Sequence, residues 1–547
     1  MPVQGSAAIA DVLDSWKEIA AYLNRDVRTV MRWEQSRGLP VRRLPGGSAV
    51  HALKSEVEAW RRSGGIHLVD NQENSQHGAP ASEPAGPSVA VLPFANLTGE
   101  KESEYFSDGL ADEILTALTR VGELRVTART SSFAFRGKDQ DVREIGSRLG
   151  VKFLLEGSVQ RSGGRIRVSA QLVSSSNGFH VWSERYDREL TDIFGVQDEI
   201  AASIVDALKV EVAPQAFRRK RTANLEAYAA WLKGRQYRFG GKTLQDVMEA
   251  GKCFSHAVAL DPTFAAAHLD MAQHLLDLAV LGLVSPQQVA AQGRSEVMKA
   301  LELDDRLGEG HAALGLFRAL FDFDWAGADA AFANALTREP GSAIILRQHT
   351  NAVLMPLMRL EQAEVEASEA LELDPLCPEC HFVMALVLWF RRQHDRAEAG
   401  IRSTLELGGA NPFTLWVAGV IAALQGRYEE AIANCEGAVR LYGRAPMLSA
   451  CLGMIYGFVG RTAEARGVLA QIEEAASTMY VSPLYRAWVY LGLGEVDEAF
   501  QWLDRAIDVR DPHILHLPAK PVYDRLRGDP RFDGLLRRMR LPDRQAG

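Results

Sequence analysis

The stretch "LNRDVRTVMRWEQSRGLP", residues 23–40, gathers Arg25, Arg28, Arg32 and Arg37 in a short span. Arg28, Arg32 and Gln35 fall at i, i+4 and i+7, one outward stripe if the stretch is helical, with Thr29 beside it. Guanidinium forks suit phosphate oxygens and the edge of guanine, so the chemistry on offer is recognition of duplex DNA rather than bond-making. Arg42 and Arg43 follow closely and can take backbone phosphates.

Other residues invite chemistry and then lose it. "CPECH" at 377–381 has haem-attachment spacing, but His381 falls in the same repeat register as His268 and His311, so repetition accounts for it. No second Cys or His pair stands at zinc-finger spacing. "GGKT" at 240–243 would need a glycine where Gln236 stands, and no strand precedes it. Asp108, Asp112 and Glu113 lie on the first turns of an expected helix, where carboxylates complement the dipole. The expectation is therefore a protein that is not an enzyme, with no catalytic residue, no cofactor and no metal.

Position along the chain supports a DNA-binding end. The 547 residues carry formal charge −9, yet residues 11–62 hold ten Lys/Arg against seven Asp/Glu, leaving −12 on the rest. Such segregation permits a nucleic-acid-binding module on an acidic body. "SWKEIAAYL" opens with Ser15 and Glu18 at capping-box spacing and places Trp16, Ile19, Ala20 and Leu23 on one face. "NRD" makes the turn, Asp26 can cap the next helix, and Trp33 belongs to the core. "GLPVRRLPGGSAVHAL" reads as a hairpin and "KSEVEAWRR" as a closing helix. Through "SWKEIAAYL", "VRTVMRWE" and "GLPVRR" this segment resembles the MerR/excisionase-type winged helix-turn-helix domains. The resemblance implies that Arg28, Thr29 and Arg32 face the groove and that Arg25, Arg42 and Arg43 face the backbone.

Residues 63–87, rich in Gly, Pro, Ser, Asn and Gln, read as a flexible linker. Residues 88–210 alternate strands and helices: "PSVAVLPF", the helix of "EYFSDGLADEILTALTRV", a strand through "ELRVTARTSSFAF", the helix of "DVREIGSRLG", a three-strand meander and a last helix. The phrases "VAVLPFANLTG", "YFSDGLADEI", "LEGSVQR" and "ERYDREL" resemble the TolB-like amino-terminal domain, implying an α/β (α+β) fold and no particular chemistry. A basic junction near 211–223 follows.

Across 224–512 breaks recur at Pro262, Asp305, Pro340, Pro375, Pro412, Pro446, Pro483 and Pro512, at intervals of 43, 35, 35, 37, 34, 37 and 29 residues. A period near 34 is that of tetratricopeptide repeats, helix pairs that stack into an all-α superhelix with a concave groove. Residues 513–547 are left as a C-terminal cap and tail. The expected chain is multidomain: a DNA-binding transcriptional regulator of bacterial type whose groove receives a protein or peptide. A homodimer would span two half-sites. The alternative is a tetratricopeptide scaffold without sequence-specific DNA binding. The first residues lack a leader pattern and no apolar run reaches about 18 residues, so no membrane is expected and the cytoplasm is the expected location.

Overall fold

The computed structural model describes residues 12–13, 15–22, 30, 39–43, 50–60, 86–98, 104–137, 140–210, 222–241, 243–408, 412–442 and 445–542. It divides into two compact units, Met1–Ala85 and Gly86–Gly547.

In the first unit Val12–Leu13 (β1) pairs antiparallel with Val50–Leu53 (β3), which pairs on its other edge with Arg42–Arg43 (β2). Trp16–Tyr22 forms α1 and Lys54–Trp60 forms α2. The Glu18 N–H donates to Ser15 Oγ at 3.2 Å, one half of the expected capping box. Ile19, Val30, Val50, Ala52 and Val57 are fully or almost fully buried in a small core, with Trp16 packed against it. β2 and β3 pair within the stretch read as a hairpin, and α2 falls on the expected closing helix; the winged arrangement itself is not shown. Apart from Val30, the expected second helix lies outside the described residues.

The second unit begins with a parallel core. Ser88–Val91 (β4) is followed by Ala95–Asn96 (β5), Glu104–Leu118 (α3), Arg125–Thr127 (β6), Arg129–Phe133 (α4), Val142–Leu149 (α5) and Phe153–Ser162 (β7). β6 and β7 run parallel to β4 on its two sides. Arg165–Ser174 (β8) and His180–Glu189 (β9) then extend the sheet antiparallel, giving the order β6-β4-β7-β8-β9 with β5 beside β7. Alternation along β4 serves both faces: Val89 and Val91 pack with α3 residues Phe106, Leu110 and Ile114, while Ala90 and Leu92 pack with Ile145 and Leu149 of α5. Ile193–Ala207 (α6) joins α3 on its face. Asp141 caps α5 at one end, and Gly150 ends it at φ 64°, a left-handed conformation that favours glycine.

One expected strand is shorter than its sequence suggested. "ELRVTARTSSFAF" stays in the sheet only to Thr127 and then turns into α4. The reason is tertiary: Ala128 N–H donates to Leu373 O at 2.9 Å, and Ser131 donates to Asp374 Oδ1 from N at 2.8 Å and from Oγ at 2.5 Å. These bonds take groups that a longer strand would have spent on the sheet.

Eight helix pairs follow among the described residues, from Leu225–Gly240 (α7) with Leu244–Leu260 to Pro483–Leu493 with Val496–Asp508. All eight expected breaks fall at the junction after a pair or on the first residues of the helix that follows. Asp261 and Asp511 accept backbone N–H groups two residues on, from Thr263 and His513, each at 2.9 Å. His268, His311 and His381 make the same bond in three repeats. Each Nε2 bonds the carbonyl six residues earlier, on Pro262, Asp305 and Pro375, at 2.9–3.0 Å. The repeat register thus explains the "CPECH" histidine.

The array closes on itself. Gln287 Nε2 donates to Asp508 O at 3.4 Å, and Gly282 lies so near the Tyr485 hydroxyl that a Cβ there would be 2.8 Å away. Residues after Asp508 then run back along the inside, bonded to carbonyls of the earlier helix pairs.

Candidate functional site

Arg42 is exposed on β2 and forms an ion pair with Glu56 of α2. Its backbone is opposite His51, and that of Arg43 is opposite Val50. The hairpin therefore carries two consecutive arginines, one of them already sharing its charge with a carboxylate. Arg25, Arg28, Thr29, Arg32, Gln35, Trp33 and Arg37 lie outside the described residues.

A second cluster, missed from sequence, locks the α/β part to the first helix pair. Asp112 of α3 meets Arg235 of α7 at 2.7 Å and Arg129 at 3.5 Å. Arg235 and Arg238 reach Asp270, at 3.5 and 3.2 Å, and Arg238 also reaches Asp277 at 3.1 Å. Asp270 accepts from Trp231 Nε1 at 2.7 Å as well. Asp108 pairs with Arg136; burial raises its pKa, against the lowering pull of Arg136. Burial lowers the pKa of Arg129, against the pull of Asp112. So Asp108 and Asp112 are ion-pair partners rather than the dipole complements they were read as. Sequence spacing carried no signal for this, because the partners of Asp112 come from two distant helices. Gly109 lets α3 and α7 touch: a Cβ there would sit 2.4 Å from a Leu232 methyl.

The groove read as open to a partner is occupied. Residues 510–541 line the inner side of the array: Arg510 Nε donates to Phe321 O at 3.1 Å, His513 bonds Val280 O at 3.0 Å and His516 bonds Asn351 O at 2.9 Å. The Lys520 ammonium sits 4.8 Å from the Trp416 ring and 5.7 Å from that of Trp488. Ile514, Leu515, Leu517, Val522, Tyr523 and Leu526 are all buried in the same core as the helix pairs. Trp325 Nε1 closes the far end on Met539 O at 2.8 Å. A segment expected to cap only the last pair instead fills the interior, because its apolar residues cover the first helices of several pairs.

Asp374, Cys377 and Cys380 present their ligand atoms within 4.8 Å of one another. Asp374 is already held by Ser131, Cys377 caps its own helix by accepting from Cys380 N at 3.3 Å, and the charge of Arg347 acts on the group. A guanidinium beside the cluster opposes a cation there. The arrangement is a seam between α4 and the fourth break.

With this geometry in place, comparison with known proteins separates the parts. Residues 85–203 match the family described as HilA/YgeH-like transcriptional regulator, second domain. The α/β part is thus similar to a domain of transcriptional regulators, and the match does not extend to a MerR-type or TolB-like assignment. A protein of Rhizobium meliloti (strain 1021) named "Putative adenylate cyclase 3" is 44% identical over 195 residues, 35% of this chain and 33% of that protein. The chain spans about a third of the length of that relative. The expectation of a protein that is not an enzyme is overturned by this relative, which is named for a catalytic activity. Among solved structures, PilF of Pseudomonas aeruginosa is 18% identical, covering 45% of this chain and 98% of its own at TM-score 0.30. YrrB, titled a TPR protein with an unusual peptide-binding site, is 19% identical, covering 36% and 96% at TM-score 0.25. No helix among the described residues is long and apolar enough to cross a membrane.

Proposed function

We propose that this chain is a transcriptional regulator whose N-terminal unit contacts double-stranded DNA and whose helical array takes a protein or peptide partner. The observation that carries the reading is the match of residues 85–203 to a transcriptional-regulator domain, directly after a basic unit on an acidic chain. In this reading Arg28, Thr29, Arg32 and Gln35 meet base edges, and Arg25, Arg42 and Arg43 meet phosphates. A single small module buries about 600–1,000 Å² on DNA, so useful specificity calls for a homodimer on two half-sites. The partner docks on array surfaces other than the inner face that residues 510–541 occupy.

Fluorescence anisotropy of a labelled duplex, titrated with the full chain over a salt series, tests the phosphate roles. Losing two phosphate contacts should reduce the log–log salt slope by about 2 in the variant carrying Arg42→Ala and Arg43→Ala. An unchanged slope contradicts the assignment of the hairpin.

A second reading follows the relative named an adenylate cyclase: conversion of ATP to cyclic AMP and pyrophosphate. Incubating the purified chain with ATP and Mg²⁺ decides it. Cyclic AMP above the boiled control supports the reading, and none contradicts it.

A further inference from the structure

An open cleft of about 730 Å³ lies in the α/β part at the carboxyl end of β4. Its place follows from topology. The chain leaves β4 for β6 on one side, and β7 arrives on the other, with α3 and α5 on opposite faces. At such a switch point no helix covers the crevice beyond the strand ends, which is where open α/β sheets bind ligands. The volume falls within the roughly 300–1,000 Å³ of small-molecule sites.

The floor is the sheet face turned away from α3 and α6. Glu156, Gln171 and Ser183 lie in one cross-strand row, and Ser158 faces Ser169 in the next. Such short side chains at the centre of a sheet leave depth where β-branched or aromatic residues would fill it. Leu92 and Pro93 make a wall on this side; Gly157 faces the other way, and a Cβ there would lie 2.6 Å from the Phe94 ring, which packs behind the sheet with Phe106 and Leu110. Pro93, with no N–H to give the sheet, marks where the chain swings out between β4 and β5 to make that wall.

Two observations describe the occupant. Hydrogen-bonding capacity is left over: Gln140 Oε1, on the rim, is buried with no partner, and Gln171 spends only one bond, donating to Glu156 Oε2 at 3.1 Å. A buried amide oxygen without a donor costs about 1–3 kcal/mol, which a ligand hydroxyl would relieve. The charge is wrong for an anion. Glu104 and Glu156 face the cleft, and the guanidinium of Arg136 is already paired with Asp108.

We propose that this cleft binds an uncharged polyhydroxylated small molecule of mono- or disaccharide size. Its hydroxyls exchange bonds with the serines, glutamines and carboxylates, while Leu92 and Pro93 cover its C–H face. The proposal is independent of DNA binding and of any activity on ATP.

Calorimetric titration and thermal melting of the full chain test it, with glucose, maltose and trehalose as probes and ATP and inorganic phosphate as anionic comparators. At least one sugar should bind saturably below about 20 mM and raise Tm, with neither anion competing. Ser169→Trp, which fills the floor with a residue that suits a strand, should abolish that binding. Gln140→Leu should weaken it about tenfold and serves if Ser169→Trp fails to fold. No saturable sugar binding, displacement by ATP or phosphate, or full affinity in a folded Ser169→Trp chain overturns the proposal.

Discussion

Asp112 and Arg235, 123 positions apart, meet at 2.7 Å where α3 crosses α7. The pair sits among Arg129, Arg238 and Asp270, and the apolar core beneath it runs without a break from Phe106 and Leu110 through Trp231 to Phe254. The α/β part and the first helix pair therefore share one core.

Removing one partner should be costly. Asp112→Ala leaves Arg235, whose side chain is only 16% exposed, with a weakened set of carboxylates. Breaking a buried pair from one side costs about 3–5 kcal/mol, so thermal melting should show a large fall in Tm. The double variant with Arg235→Met should recover part of it, because no buried charge is then stranded.

The filled interior predicts that the array cannot dispense with its end. Deleting residues 510–547 removes Ile514, Leu515, Leu517, Val522, Tyr523 and Leu526, all buried. At about 1.5–3 kcal/mol per large apolar side chain the loss rivals the whole stability of an ordinary domain, about 5–15 kcal/mol. The truncated chain should lose its cooperative melt by circular dichroism. A deletion that melts like the full chain would show the segment to be an appendage.

Acid should loosen the same region. Burial, with Lys520 adding to it, pushes His516 down to about 3, and burial also lowers His513. In an unfolded chain both take up a proton near 6.5. The contribution of His516 is thus present above pH 6.5 and lost as pH falls toward 3, by about 1.4 kcal/mol per pH unit, and that of His513 is lost in the same direction below pH 6.5. His349 works the other way. Burial disfavours its charge, but Glu366 and Asp329, each at 2.9 Å, outweigh that and raise its pKa. Its share is present below pH 6.5 and fades as pH rises. Denaturant unfolding should show lower stability at pH 5 than at pH 7, and His516→Leu should make that difference smaller by about 2 kcal/mol.

Much of this was legible, and the rest was lost to distance. His268, His311 and His381 recur at one repeat position, so their shared bond to a carbonyl six residues back had a local cause that sequence could carry. The β7–β9 meander announced itself through "SGG" and "SNG" turns between alternating runs. The end of β6 at Thr127 was not legible, because the groups that stop it sit on Leu373 and Asp374. The occupied groove was hidden for a similar reason. The repeat period stops at Pro512, and nothing in "HILHLPAKPVYDRL" says which surface those apolar residues cover. For the arginines of residues 23–38 the sequence remains the whole basis of the reading.

The hairpin allows a test in the opposite direction to loss of function. Arg42 shares its charge with Glu56. If Arg42 grips phosphate, Glu56→Gln should tighten DNA binding several-fold at low salt by freeing the guanidinium and removing a repelling carboxylate. Equal anisotropy curves for the two proteins would place Arg42 away from the DNA.

The central claim, regulation through DNA, is tested most directly by selecting duplexes from a random pool with the purified full chain at two salt concentrations. The Arg28→Ala, Arg32→Ala variant is run beside it. The account predicts an enriched motif with two related half-sites that survives the higher salt and is lost in the variant, since base-edge contacts carry sequence information and phosphate contacts do not. No motif, or an enrichment that the variant retains, would contradict it.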